Sequence, residues 1–137
     1  MSSPIPVCDN LVLIRTCFAD EKRWRELLHV AQSQPEPFAA WFKVVDDPSF
    51  DGKVVDQVLA ALPKEYAHEA IFIADERAVS EEGFPCLIVG PLGGELQIYR
   101  AVASELAGID SNLSIANMGY EEFAGAAGPD GVFRGFE

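Results

Sequence analysis

Three short apolar runs alternate with two amphipathic segments, and this alternation constrains the fold more than any other feature of the sequence. Residues 11–18, 38–45 and 70–74 are rich in β-branched and aromatic residues, which predicts strands. Apolar residues recur at helical spacing after Asp20 and again after Gly52, which predicts a helix between successive strands. Strands that alternate with helices favour an α/β sheet whose first strands run parallel and are joined by right-handed crossovers.

The second half of the chain begins with a predicted hairpin. Residues 86–92 and 95–102 are two apolar, β-rich runs that flank Gly93 and Gly94. Glycine accepts the positive φ of tight hairpin turns, so this pair predicts a turn between two antiparallel strands. We expect the hairpin to form an antiparallel edge of the sheet.

The remaining segments complete the predicted order β-α-β-α-β-β-β-α. Residues 75–85 indicate an acidic loop, residues 110–118 fit either a short helix or a strand, and residues 120–127 predict a closing helix. We therefore expect a single α/β domain over residues 1–137. Its mixed sheet has about five strands, with helices packed on it.

The charge balance limits the partners of such a domain. The chain carries 22 acidic and 10 basic residues, which gives a net charge of −12. An exterior of this kind repels phosphate backbones and anionic lipids, so we expect neither a nucleic-acid nor a membrane partner. It attracts a basic protein, although many acidic proteins carry such a charge only for solubility. No apolar run approaches the ~18–20 residues that cross a bilayer.

The N-terminus and the cysteines indicate a cytoplasmic location. Residues 1–10 contain no basic region followed by an apolar stretch, so they do not resemble a secretory leader. Cys8, Cys17 and Cys86 are odd in number and lack Cys-x-x-Cys spacing. Free, largely buried thiols in a reducing compartment fit this pattern.

Polar residues follow each of the first three predicted strands. Because the carboxyl ends of parallel strands share one edge of a sheet, we expect these residues to meet in a crevice where ligands bind. Carboxylates there would suit Mg²⁺ or acid–base chemistry, and they equally suit turns and helix caps. The polar residues at these positions are Thr16, Cys17, Asp46, Asp47, Asp75 and Glu76.

Two asparagines extend the candidate pocket, because the amide of Asn112 or Asn117 is able to bridge two loops, or to cap a helix. The sequence contains no zinc-ligand spacing, nucleophile elbow or phosphate loop, so we predict no catalytic residue, metal ligand or cofactor. The possible ligand pocket therefore comprises Cys17, Asp75, Glu76, Asn112 and Asn117.

The acidic residues also predict a surface for a basic partner. An exposed aromatic residue among acids is typical of an interface. Trp41 and Phe42 are neighbours in a predicted strand, so we expect one of the two to face the solvent and the other the core. The candidate partner-binding residues are Trp41, Asp46, Asp47, Asp51, Glu81, Glu82, Glu121 and Glu122.

Two arginines require partners. Arg15 lies within an apolar strand, so it needs an acidic partner or a position at the sheet edge. Arg134 lies in a mostly apolar tail, and we expect it to pair with Glu121 or Glu122.

The C-terminal region carries a resemblance. NLSIANM at residues 112–118 and DGVFRGF at residues 130–136 resemble a bacterial family of short domains of unknown function, over roughly residues 9–136. Cys17, Gly90 and Gly119 stand where this family frequently has aspartate. The resemblance therefore implies that two strand-end carboxylates are missing here, and it implies no activity.

The sequence favours a non-enzymatic, cytoplasmic domain that binds a basic protein, either as an immunity-type inhibitor of a toxin or as a regulatory module. An alternative is a small-ligand-binding or Mg²⁺-dependent enzyme domain that uses the strand-end carboxylates. A third possibility is a structural subunit that forms a homodimer through exposed aromatic residues.

Overall fold

The structure, a computed structural model, describes residues 11–33, 42–66, 68–114 and 119–135. Its strands are β1 Val12–Arg15, β2 Lys43–Val45, β3 Ile71–Ala74, β4 Pro85–Val89, β5 Tyr99–Val102 and β6 Val132–Phe133. Its α-helices are α1 Glu21–Gln32, α2 Val55–Ala60, α3 Glu76–Ser80, α4 Leu106–Ser114 and α5 Tyr120–Gly125.

The strands form one mixed sheet in the order β2-β1-β3-β4-β5-β6. Strand β1 runs parallel to β2 and β3, β4 runs antiparallel to β3 and β5, and β5 runs parallel to β6. The predicted α/β class and mixed sheet are confirmed. Strand β6 adds a sixth strand, and its two residues are too short to produce a sequence pattern.

The two faces of the sheet are covered unequally. One face packs against four helices, through Trp24 of α1, Ala78 of α3, Leu106 of α4 and Tyr120 of α5. On the opposite face, α2 is the described helix that packs on the sheet, and it does so through Val58. All four residues of β1 and of β3 are buried, as expected of central strands covered on both faces.

Helix α1 forms as its sequence predicts. The Asp20 carboxylate accepts a hydrogen bond from the Arg23 backbone amide at 3.0 Å, which satisfies one of the free amides at the helix start. Trp24, Leu27 and Ala31 then recur on one side of the helix and are buried.

The expected acidic loop at residues 75–85 is wrong, since helix α3 lies within it. The Asp75 carboxylate accepts a hydrogen bond from the Ala78 amide at 3.1 Å and so caps the helix. Ala78 and Val79 are buried, and their packing stabilises a helix too short to show a periodic pattern.

The two strands of the expected hairpin are antiparallel, as predicted. The prediction is wrong about the turn that joins them and about their position at the edge of the sheet. Strands β4 and β5 are antiparallel, but residues 90–98 connect them. The Tyr120 hydroxyl holds this connection by donating to the Ile88 and Gln97 carbonyls at 3.1 and 2.6 Å. The hairpin is not the sheet edge, because β6 pairs outside β5. Of the segment predicted as either helix or strand, residues 110–114 are helical and belong to α4. Residues 115–118 lie outside the described residues.

The partner expected for Arg134 is wrong. The Arg134 guanidinium donates to both oxygens of Asp130, at 3.2 and 2.8 Å, because Asp130 lies four residues earlier, before β6. The Val132 amide donates to the same carboxylate at 3.1 Å. The side-chain bond from Arg134, followed by the backbone bond, lowers the pKa of Asp130 to about 2.

We expect Arg134→Gln to raise the pKa of Asp130, because the variant loses the guanidinium that stabilises the carboxylate. A carbon-detected NMR titration of the Asp130 carboxyl measures this change. Since the folded-state pKa is depressed, any stability from the pair is present above the unfolded-state pKa and is lost as the pH falls toward about 2. Equal pKa values in wild type and variant would contradict the assignment.

Candidate functional site

The carboxyl ends of β1, β2 and β3 meet at one edge of the sheet, since the three strands are parallel. Beyond the last paired residue of β1, the Thr16 amide donates to the Ala74 carbonyl at 3.0 Å and keeps the two strands together. The chain continues from β1 to β2 on one side and returns to β3 on the other. This reversal between β1 and β3 is the position at which open α/β sheets bind ligands.

A cavity of about 460 Å³ lies at this position. Ile73 and Leu87 form its apolar floor, Thr16 and Asp75 border it from the strand ends, and Val54 lies across from them in the segment before α2. We call this cavity, defined by these five residues, the strand-end pocket. Its volume falls within the range of small-molecule sites, roughly 300–1,000 Å³.

The segment at residues 51–55 is held over the end of β1 by two hydrogen bonds. The Gly52 amide donates to the Thr16 carbonyl at 2.8 Å, and the Phe18 amide donates to the Asp51 carboxylate at 3.3 Å. Gly52 has a φ of +77°, which glycine adopts without strain. The sequence therefore shapes the mouth of the pocket through a glycine turn that precedes α2.

Arg100 fixes the Asp75 carboxylate in the pocket wall. Its two terminal nitrogens donate to the two oxygens of Asp75 at 2.9 and 2.8 Å, and one of them also donates to the Pro85 carbonyl at 2.8 Å. Asp75 thus serves as a helix cap and as one half of a bidentate ion pair. Sequence reasoning missed Arg100, whose only signal was a charged residue in a strand.

The other strand-end carboxylates are also occupied. Asp46 accepts from Arg15 at 3.2 Å, and Asp47 accepts from the Ser49 amide at 2.9 Å, a backbone bond that lowers the pKa of Asp47. Within the described residues, no group of three or more His, Cys, Asp or Glu side chains is arranged to hold a metal ion. The Mg²⁺-dependent form of the ligand hypothesis therefore gains no support from this arrangement.

Of the remaining pocket candidates, Cys17 and Glu76 line the cavity with Asp75. Cys17 is 9% exposed and also belongs to the core on the α1 side. Asn112 lies apart on α4, where its amide donates to the Gly108 carbonyl at 2.8 Å. Asn117 lies outside the described residues.

The predicted partner surface divides between two edges of the sheet. Asp46, Asp47 and Asp51 follow β2, and Glu81 and Glu82 precede β4, so these five acids lie near the carboxyl edge. Glu81 is paired there with Arg77 at 2.6 Å.

The other two acids of that surface lie at the opposite edge. Glu121 and Glu122 begin α5, whose Tyr120 amide donates to the Glu69 carboxylate ahead of β3 at 3.2 Å. The Glu122 carboxylate accepts from the Gly119 amide at 3.0 Å and caps its own helix. The seven acids therefore do not form one face, and the eighth candidate, Trp41, lies outside the described residues.

A second, more open groove runs along α1. Lys22, Arg25 and His29 lie on one side of that helix, with Val30 and Phe84 beneath them. Its polar lining comes from the surface of a single helix, so the groove lacks the converging strand ends that mark the strand-end pocket.

A family model for a domain of unknown function, DUF6924, matches residues 10–136. The chain belongs to this family. The match confirms the resemblance carried by residues 112–118 and 130–136. None of the curated proteins compared with the chain matches it.

No helix within the described residues combines the length and the apolar character that crossing a bilayer requires.

Proposed function

We propose that this DUF6924 protein is a binding domain for a small molecule, which it holds in the strand-end pocket. The observation that carries the proposal is the position of the cavity. It lies outside the carboxyl ends of β1 and β3, where the chain order reverses. An apolar floor bordered by a few polar groups is the usual composition of such sites.

The pocket is also held by contacts that exist before a ligand arrives. Asp75 is fixed by Arg100, and the segment carrying Val54 is tied to β1 through Gly52. A pre-formed site loses less conformational entropy on binding than a site that must order. This rigidity supports binding of a specific small molecule.

A metabolite library tests the proposal by thermal denaturation. A ligand present at 100 times its Kd stabilises the folded state by about 2.7 kcal/mol, which for a chain of this size raises the Tm by roughly 5–10 °C. We expect at least one compound to produce such a shift in the wild-type protein and to lose its effect in Val54→Trp, which places an indole at the pocket mouth.

Leu96→Trp is the matched control for this experiment. Leu96 is 40% exposed, lies in the connection between β4 and β5, and does not line the pocket. Its variant is expected to keep the full shift. A library without a stabilising compound, or a shift that survives in Val54→Trp, would count against the pocket as the site.

We propose as a second candidate that the carboxyl edge docks a basic protein, as an immunity-type inhibitor or a regulatory module. The concentration of Asp46, Asp47, Asp51, Glu81 and Glu82 at this edge supports it. Purified products of adjacent genes would be assayed at two salt concentrations. Binding that weakens strongly with salt favours the candidate, and binding by none of them removes its support.

We further propose a cytoplasmic location, since Cys17 and Cys86 are free, buried thiols, as a reducing compartment allows. Burial raises the pKa of Cys86 far above its usual range, so it stays a neutral thiol at physiological pH.

A further inference from the structure

We propose that the strand-end pocket takes an alkylammonium group, an inference that rests on the small-molecule function proposed above. The charged head comes from a free aliphatic amine or from a lysine side chain of a protein. Both sources present the same chemistry, a primary ammonium on an apolar stem.

The Thr16 hydroxyl is the first observation that points to such a head group. Thr16 is 5% exposed, and its hydroxyl makes no hydrogen bond to any part of the chain that the structure describes. Side chains alternate along a strand, so Thr16 lies on the same face as Val12 and Ile14, the face that carries the pocket floor. The hydroxyl lines the cavity and keeps a lone pair to which a ligand N–H is able to donate.

The charge of the lining is the second observation. Asp51, Asp75 and Glu76 contribute three carboxylates, against the single ammonium of Lys53 among the lining residues that the structure describes. Arg100 offsets Asp75, which leaves Asp51 and Glu76 to act on a ligand.

These two carboxylates retain capacity to accept. Asp51 accepts one 3.3 Å bond from the Phe18 amide, and Glu76 is exposed at the start of α3. An ammonium has three donors, enough in number for the two carboxylates and the Thr16 hydroxyl that line the cavity. The same carboxylates would repel an anionic ligand. Among the described lining residues, only Lys53 at the exposed rim would attract it.

The apolar lining accounts for the stem. Ile73 is 2% exposed, Leu87 is half-buried beside it, and Val54 is 61% exposed across the mouth. Methylene groups bound between these side chains leave water, at a gain of about 0.8 kcal/mol for each one buried. A ligand with a charged head near Thr16 and an apolar stem over Leu87 therefore fits both parts of the pocket.

A titration with three probes of equal chain length tests the inference. n-Pentylamine, n-pentanol and sodium pentanoate would be added to the ¹⁵N-labelled protein at pH 7 and constant ionic strength. We expect pentylamine to shift the Thr16, Gly52 and Glu76 amides saturably, with a Kd at least fivefold below that of pentanol. Pentanoate is expected to bind most weakly.

Two conservative variants separate the head group from the stem. Thr16→Val removes the hydroxyl without changing the size of the side chain, and Glu76→Gln removes one charge at an exposed position. We expect Glu76→Gln to weaken pentylamine severalfold while leaving pentanol within twofold, and Thr16→Val to weaken both probes, since each carries a donor for the hydroxyl. Equal losses for the two probes in Glu76→Gln would show a charge-independent role and would overturn the inference.

Nα-acetyl-lysine methylamide distinguishes the two sources. A lower Kd than that of pentylamine assigns the site to a lysine side chain, and a higher one assigns it to a free amine. Either result supports the ammonium. If pentanol or pentanoate binds at the same residues as tightly as pentylamine, the ammonium inference fails and the pocket remains a ligand site. If none of the probes moves these amides, the ammonium inference fails, and the library result decides the broader function.

Discussion

Replacing Tyr120 with alanine is expected to lower the free energy of unfolding by about 3–5 kcal/mol, the usual cost of removing a buried aromatic side chain. Tyr120 is fully buried on the α5 side of the core. Its ring packs edge to face on Tyr99 at 5.6 Å and lies so close to Gly90 that a Cβ there would come within 2.7 Å. The side chain thus joins α5 to β5 and to the connection after β4. Urea denaturation of wild type and variant measures the loss.

Part of this loss in the free energy of unfolding comes from the hydrogen bonds of the Tyr120 hydroxyl. A matched pair of tyrosine-to-phenylalanine variants measures that part. Tyr120→Phe leaves the Ile88 and Gln97 carbonyls without their donor, so we expect it to cost about 1–2 kcal/mol. The neighbouring Tyr99 has a buried hydroxyl without a hydrogen-bond partner among the described residues. Tyr99→Phe is therefore expected to be neutral or slightly stabilising. Equal losses in the two phenylalanine variants would contradict this assignment of the hydrogen bonds.

Removing the acids that pair with Arg15 is expected to destabilise the protein more than removing Arg15 itself. Arg15 is 2% exposed, and its guanidinium lies against the rings of Phe18 and Trp24 at 4.1 and 4.9 Å. It donates to Glu21 and Asp46, both at 3.2 Å. The double variant Glu21→Gln/Asp46→Asn leaves this buried cation uncompensated. Because the two acids are about half exposed, we expect a loss of about 2–3 kcal/mol, below the 3–5 kcal/mol of a fully buried pair.

Arg15→Met removes the charge and keeps an apolar side chain between the two rings, so we expect a loss of only about 1 kcal/mol. Glu26→Gln is the surface control. Its 3.6 Å pair with Arg23 is solvent-accessible, and we expect a change of less than about 0.5 kcal/mol. Denaturation in urea at low salt compares the three variants with the wild type. A larger loss in Arg15→Met than in the double variant would show that packing around the guanidinium matters more than its charge partners.

The sequence predicted the first half of the fold and the position of the pocket because both depend on local patterns. Apolar runs at residues 11–18 and 70–74 marked β1 and β3, the two strands that are buried at every residue. The rule that parallel strands end at a common edge then brought Thr16 and Asp75 together, and the cavity lies between them.

The remaining features depend on contacts between distant segments. Arg100 on β5 reaches Asp75 at the end of β3 across the intervening β4, so its role is invisible until the strand order is known. The acids of the proposed partner surface were expected on one face. Strand β5 returns the chain to the edge that holds Glu81, helix α4 follows it, and α5 then begins at the opposite edge beside Glu69. Strand β6 forms through pairing with β5, since two residues carry no periodicity.

Crystallographic screening with small fragments is the measurement that tests the strand-end pocket most directly. We predict that fragments occupy the space between Thr16 and Val54, over Leu87, and that amine-bearing fragments place their nitrogen within hydrogen-bond distance of the Thr16 hydroxyl. Crystals of Val54→Trp should lose this occupancy. Fragments that gather instead along the α1 groove beside Lys22 and His29, with the strand-end pocket empty, would contradict the account.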